Sequence, residues 1–403
     1  MKRLDKTTRV VLYCLLMAVT VFFPFLGLLL FAILYFSADT RKSIVFLSIM
    51  LGILVGFFAY NFTPADNYDL VRHQSIVKKF ETVHDFDSFV EVYNSDSREP
   101  LPLLYSFLIS RTGDVNLLQF FVVVIGYSSL FYILADYKKR VGLSNTQFIP
   151  IFIMVLFGQH TLYYFSGLYN YVAINLFALA FYLDYFHEKR AIPYTIYVMT
   201  FFIHTSMILP LMLLLLFKLN KNRLSKRLYF YSVVAVLIGL VFLLNTSGAN
   251  GDGFDTLRSM FSGYSSNNAH YLRFYGGFGL VIDVLKIVLI FFAYKLTKNL
   301  EELKSVRAFV VLALPILVVL FPISIVLIRF VTLFFFISIP ILMSAVKVRQ
   351  EDVKLLYLTY IVCAFIFAFY NIHTIYPYGY NNFFIRKIPT MTTNFLRKGG
   401  LDG

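Results

Sequence analysis

Four residues in the first quarter of the chain have types and spacing that suit proton transfer and phosphate binding. Asp66, Asp69, Arg72 and His73 fall at i, i+3, i+6 and i+7, which at about 100° per residue places them on one helix face. A carboxylate there can take the proton of an attacking hydroxyl, and Arg72 can hold a phosphate through two parallel N–H bonds. Thr63, Pro64 and Asp66 read as N-cap, N1 and N3 of that helix. The pattern also describes a solvated charged face, and Asp66 alone can serve as a cap.

Five more residues stand out. His204 interrupts an apolar segment in Phe202-Ile203-His204-Thr205-Ser206, with Pro210 shortly after. An ionisable group at membrane depth is expensive and marks a cavity by default, the alternative being a neutral ring bonded to a nearby carbonyl. Arg329 is the lone charge in a long apolar run and is expected where two helices meet at the membrane surface. There a guanidinium can neutralise a phosphate or simply snorkel to the interface. Arg98 and Glu99 precede Pro100 at the start of a short apolar stretch, and Arg273 lies in a later polar loop. No C-x-x-C run or His/Cys cluster suggests a metal, and Cys14 and Cys363 sit in apolar segments as buried thiols.

The elements that must position these residues are membrane helices. The chain is 59% hydrophobic and only 14% charged, with a mean hydropathy of +0.73. A soluble domain carries about 25% charged residues, so this chain cannot cover a water-facing surface. Apolar residues arrive in blocks such as 44–59, 117–135, 228–244, 278–293 and 355–370, each near the length a helix needs to cross a bilayer. They lack the alternation of a membrane β-barrel. The net charge of +14 collects in short loops such as 138–140, 189–190, 218–227, 295–307 and 347–354. That is the positive-inside pattern, so basicity reports topology and not nucleic-acid binding.

The expected fold is therefore all-α: a polytopic transmembrane helix bundle of about 11–13 segments, forming one membrane domain over residues 1–403. Two larger outer loops fall at 63–100 and 245–277, the second rich in Gly, Ser, Asn and Tyr and suited to stacking on rings and bonding hydroxyls. Segment 101–110 is too short to span and is expected at the outer interface. Segments 10–36 and 192–217 are basic at both ends and interrupted by Pro24 and by His204 and Pro210. A hairpin of half-helices is expected for 192–217, since irregular backbone is allowed at depth where protein or a wet cavity covers it. Segment 10–36 fits either one helix or a hairpin. Few charges lie within the spans, and no internal or inverted repeat appears.

An ordered series of short motifs resembles the Wzy-type bacterial polysaccharide polymerases of the EpsG-like group. It runs through Ala65-Asp66-Asn67-Tyr68-Asp69, Glu99-Pro100-Leu101, Asn116-Leu117-Leu118-Gln119-Phe120-Phe121, Ser166-Gly167-Leu168, Phe202-Ile203-His204-Thr205-Ser206 and Tyr376-Pro377-Tyr378. Members usually carry an Arg two residues after the position of Gly167, where this chain has Tyr169 followed by Asn170. A phosphate-binding role of that Arg would pass here to Arg329 or Arg72.

The resemblance implies a glycosyltransferase that joins undecaprenyl-diphosphate-linked oligosaccharide units at the outer face of a bacterial inner membrane, without cofactor or metal. It implies Asp66, Asp69 and His204 as catalytic residues. Arg72, His73, Arg98, Glu99, Arg273, Arg329, Tyr169 and Asn170 would contact substrate. Membrane lipids, a chain-length regulator and a flippase are the implied partners. Two other readings remain open, a transferase adding single sugars or branches and a flippase for lipid-linked oligosaccharide. The short tail after residue 370 disfavours the first, and the scarcity of intramembrane charge and of symmetry disfavours the second.

Overall fold

The computed structural model describes residues 16, 24–62, 69–83, 87–90, 99–187, 191–231, 234, 268–320, 324–348 and 350–375. Among them every regular element is a helix: α1 (Pro24–Phe36), α2 (Arg41–Tyr60), α3 (Asp69–Glu81), α4 (Pro100–Ser110), α5 (Leu117–Val141), α6 (Asn145–Gly158), α7 (Thr161–Ser166), α8 (Leu168–Phe186), α9 (Ala191–Ile203), α10 (Ile208–Leu219), α11 (Asn268–Leu296), α12 (Lys304–Leu320), α13 (Ser324–Ile337), α14 (Ile339–Val348) and α15 (Gln350–Ile375). The fold is an all-α bundle of membrane helices.

Its outward faces could not be kept in water. On α15 the exposed stripe is Leu355, Leu358, Val362, Phe365 and Phe369, with Phe365 73% and Phe369 66% exposed. Similar stripes run along α1 (Leu26, Leu29, Ile33) and α9 (Val198, Phe202). Contiguous apolar surface of this extent marks contact with hydrocarbon.

Fewer helices cross in one piece than the block pattern predicts. Among the described residues three are long and apolar enough, Arg41–Tyr60, Leu117–Val141 and Lys354–Asn371, and the pair Leu327–Ile337 and Ile339–Val348, bent by 49°, makes a fourth. Several shorter helices meet at breaks that fall on polar residues, among them His204 between α9 and α10. The mainly apolar stretch 148–165 breaks at Gln159–His160, between α6 and α7. Breaking a helix in a membrane frees backbone groups that water cannot reach. Here Asn371 on α15 satisfies them, its Oδ1 accepting from the Thr161 N–H at 2.6 Å and its Nδ2 donating to the Phe157 carbonyl at 2.6 Å.

Segment 192–217 is interrupted at His204 as expected, but the halves do not pack on each other as a tight hairpin would. Instead α9 lies along α8, and α10 meets α12. The second outer loop ends earlier than expected, because Asn268–Leu296 is one continuous helix. The alternative for 10–36, the helix start at 63–68, Asp66, Arg98, residues 245–267 and Tyr376-Pro377-Tyr378 lie outside the described residues.

Among the described residues the most extensive helix pairing is α2 against α5. Gly52 and Gly56, one turn apart, allow it: a Cβ on Gly52 would lie 2.9 Å from the Val124 carbonyl oxygen, and one on Gly56 2.6 Å from Val124 Cγ2. Small residues at such spacing let membrane helices approach backbone to backbone. Ser144 opens α6 with a reciprocal capping box to Gln147, and Gly142, at φ +68°, closes α5 in the left-handed conformation that favours glycine.

Candidate functional site

The site is built where α3, α4, α8, the α9–α10 break and α13 meet. α3 is held over α4 by side chains that bond backbone carbonyls. Arg111 Nη2 donates to the carbonyls of Phe80 at 3.1 Å and Val83 at 2.6 Å, satisfying the C-terminal end of α3. Buried Gln119 donates to the carbonyls of Ala59 (2.9 Å) and Phe62 (3.2 Å) and accepts from Gln74 of α3 at 3.0 Å. Through Gln119 the motif at 116–121 therefore fixes the helix that carries Asp69, Arg72 and His73.

Glu99 sits in extended backbone at the N-terminus of α4, with Pro100 as the first helical residue. Its Oε1 accepts from the Thr205 N–H at 3.0 Å and from Thr205 Oγ1 at 3.3 Å, and lies 3.8 Å from His204 Nδ1. The interruption at residue 204 is what makes this possible. His204 leaves the helix in extended conformation, and the freed N–H groups beyond it turn to side-chain acceptors: Thr205 to Glu99, Ser206 to His204 Nδ1 at 3.2 Å. Because that backbone N–H donates to Nδ1, the ring proton is assigned to Nε2 and the imidazole is neutral.

Two guanidiniums from distant parts of the chain bear on this pair. Burial holds the Glu99 carboxyl above its ordinary range, and the Thr205 bonds, then Arg72 and Arg329, pull it back down. Arg72 is itself 3.6 Å from Asp69 in an exposed i, i+3 pair. His73 turns inward and packs edge-on against Tyr169, ring centroids 4.6 Å apart. Burial, helped by Arg72 and opposed by Asp69, lowers its pKa to about 4. Tyr169 OH lies 3.2 Å from Ser106 Oγ, and Asn170 accepts from Ser206 Oγ at 3.3 Å. Asn170 is 2% exposed, and its Nδ2 has no hydrogen-bond partner among the described residues. A buried amide donor left without a partner in such a cluster is suited to an oxygen-rich ligand.

Of the residues singled out in the sequence, the structure brings together Arg72, His73, Glu99, Tyr169, Asn170, His204 and Arg329. Asp69 is attached through Arg72 and is half exposed, so the carboxylate beside His204 is Glu99. Arg329 lies within α13 and not at the junction of two helices, because α13 already begins at Ser324. Arg273 lies on α11, its side chain outside those described. Among the described residues no three His, Cys, Asp or Glu side chains converge as metal ligands.

A second polar cluster escaped the sequence reading. Lys286 Nζ donates to Asp283 Oδ1 at 2.8 Å and lies 3.3 Å from His160 Nε2 and 3.4 Å from Thr332 Oγ1, and His160 Nε2 is 3.3 Å from Asp283 Oδ1. All four residues are at most 2% exposed. The signal is present in the sequence as two opposite charges at i, i+3 inside block 278–293, where ionisable groups are as costly as His204. Averaging hydropathy over the block hid them. Thr332 follows Arg329 by one turn on α13, and α7 runs from His160 toward Tyr169, so two elements connect this cluster to the site along the chain.

Comparison with curated proteins and with solved structures gives no match. The sequence does match a family over residues 76–385, more than half of its length. Glu99, Tyr169, Asn170, His204, Arg329 and the buried His160–Asp283–Lys286 cluster all fall within that stretch, with Asp69, Arg72 and His73 just ahead of it. On that match the chain belongs to the EpsG family.

Proposed function

We propose that this chain polymerises oligosaccharide repeat units carried on undecaprenyl diphosphate, at the outer face of a bacterial inner membrane. Family membership supports a polysaccharide-polymerase role. The observation that carries the finer reading is the convergence of Arg72 and Arg329 on the Glu99–His204 pair at a helix break. In this reading a hydroxyl of the acceptor unit attacks the anomeric carbon of the donor chain. The new C–O bond forms as the bond to the diphosphate breaks, and undecaprenyl diphosphate leaves with the bonding electrons. Diphosphate is already a good leaving group, so the protein chiefly needs to place the reactants and to neutralise the departing charge.

Arg72 and Arg329 take the diphosphate oxygens, a task for guanidinium because it stays charged when partly desolvated. They replace the Arg that relatives usually carry where Tyr169 stands. Glu99, with its affinity for a proton raised by burial, accepts the hydroxyl proton. Asn170 Nδ2 and the Tyr169 ring hold the sugar. A flippase would deliver the lipid-linked units, and a chain-length regulator would set the length.

The test is a gene-replacement strain whose surface polysaccharide is resolved by gel. With expression verified in membranes, Glu99→Gln and Arg329→Ala should leave single repeat units on the lipid and no ladder. Loss of a branch on otherwise long chains would identify a single-sugar transferase instead. Unchanged ladders in both variants would reject the assignment of the site.

A further inference from the structure

A cavity lies at the opposite end of α9 from His204. It measures about 460 Å³, and its polar lining is Arg41, Arg140 and His187, with Leu183, Phe186 and Ile192 among its apolar walls. Arg140 donates to the Phe186 carbonyl at 2.5 Å, and His187 is held at 2.9 Å by Asp136, which also accepts from Tyr182 OH at 2.5 Å. Asp136 is thus bonded by two neighbours, while each guanidinium, with five N–H donors, has donors to spare. The charge rule places this end, marked by Lys138, Lys139 and Arg140, on the inner side of the membrane.

What distinguishes the cavity from an ordinary basic loop is its continuation. Ile192, in its wall, is 48% exposed, and the same helix presents Val198, Met199 and Phe202 outward. A ligand with its phosphate at the two arginines would find an apolar track leading directly into the hydrocarbon. Basic pockets between helices at the inner surface are built to hold anionic headgroups.

We propose that this cavity binds the phosphate of an anionic membrane lipid, with its acyl chains laid along α9. The shared chemistry is a phosphate ester on two guanidiniums, and the apolar track selects a lipid over a soluble phosphate. α9 is about 20 Å long at 1.5 Å per residue and ends at His204. A lipid bound at its base therefore braces the helix that presents the proposed site.

The test uses the full-length protein in phosphatidylcholine nanodiscs doped with phosphatidylglycerol or cardiolipin, with bound lipid counted by native mass spectrometry. Wild type should retain the anionic lipids, and Arg41→Ala/Arg140→Ala should retain them at least tenfold less. Arg223→Ala/Arg227→Ala, which removes the same charge from another basic loop, should match wild type. Arg41→Lys/Arg140→Lys keeps the charge and guards against misfolding, and should keep most of the binding. Retention by the double-alanine variant equal to wild type, or equal retention of phosphatidylcholine, would overturn the proposal. Displacement by millimolar inorganic phosphate would do so too, by showing a site for soluble anions. Because the readout is bound lipid, it stands or falls independently of polymer length.

Discussion

Replacing Asp283 by Asn is a nearly isosteric change that removes one charge from a cluster of four buried polar residues. Asp283 is 1% exposed and Lys286 0%, and the ammonium lies between Asp283 on α11, Thr332 on α13 and His160. The substitution leaves Lys286 facing the imidazole, the Thr332 hydroxyl and a neutral amide. Breaking a buried ion pair from one side costs about 3–5 kcal/mol, because the remaining charge has lost the partner that offset its desolvation. Removing both charges leaves no such orphan. Asp283→Asn/Lys286→Met should therefore recover most of the loss, with Met filling the volume of the lysine stem. The assay is equilibrium unfolding in mixed detergent–SDS micelles for wild type, both single variants and the double, analysed as a thermodynamic cycle. A coupling of at least about 2 kcal/mol is expected from the geometry. Asp283→Asn within about 1 kcal/mol of wild type, or a double variant as unstable as the sum of the singles, would refute the reasoning.

Ala at both Gly52 and Gly56 should separate α2 from α5 by forcing Cβ atoms against Val124 and Phe120, costing about 1–3 kcal/mol in the same unfolding assay. His73, with its folded pKa lowered to about 4 against about 6.5 unfolded, contributes stability that is fully present above pH 6.5. That stability is lost as pH falls toward 4, because the unfolded chain takes up the proton first. His73→Gln should show a flatter loss than wild type between pH 6.5 and 4, and imidazole titration by NMR should find His73 neutral at pH 6. Asn170→Ala removes the unpartnered buried donor without changing charge, and should shorten polymer chains while leaving stability within about 1 kcal/mol of wild type. Unaltered ladders there would remove Asn170 from the sugar-binding set.

Length, apolar blocks and the placement of basic loops already determine that this chain lives in a membrane as a helical bundle. Hydropathy acts locally, over about one helix length, and needs no knowledge of neighbours. The interruption at His204 was legible for the same reason, since a polar residue and Pro210 break an apolar run wherever it packs. The order of motifs also carried the family. What only tertiary structure decided is which charges meet. Glu99 reaches Thr205 across 106 residues, and His160 reaches Lys286 across 126. No periodicity encodes such pairings, because they depend on which helix faces which in the folded bundle. The same holds for Gln159–His160, where the break is tolerated because Asn371, from the far end of the chain, satisfies the backbone groups it exposes. In a bilayer a polar group without a partner is costly, and it is packing, summed over the whole molecule, that supplies most of the partners.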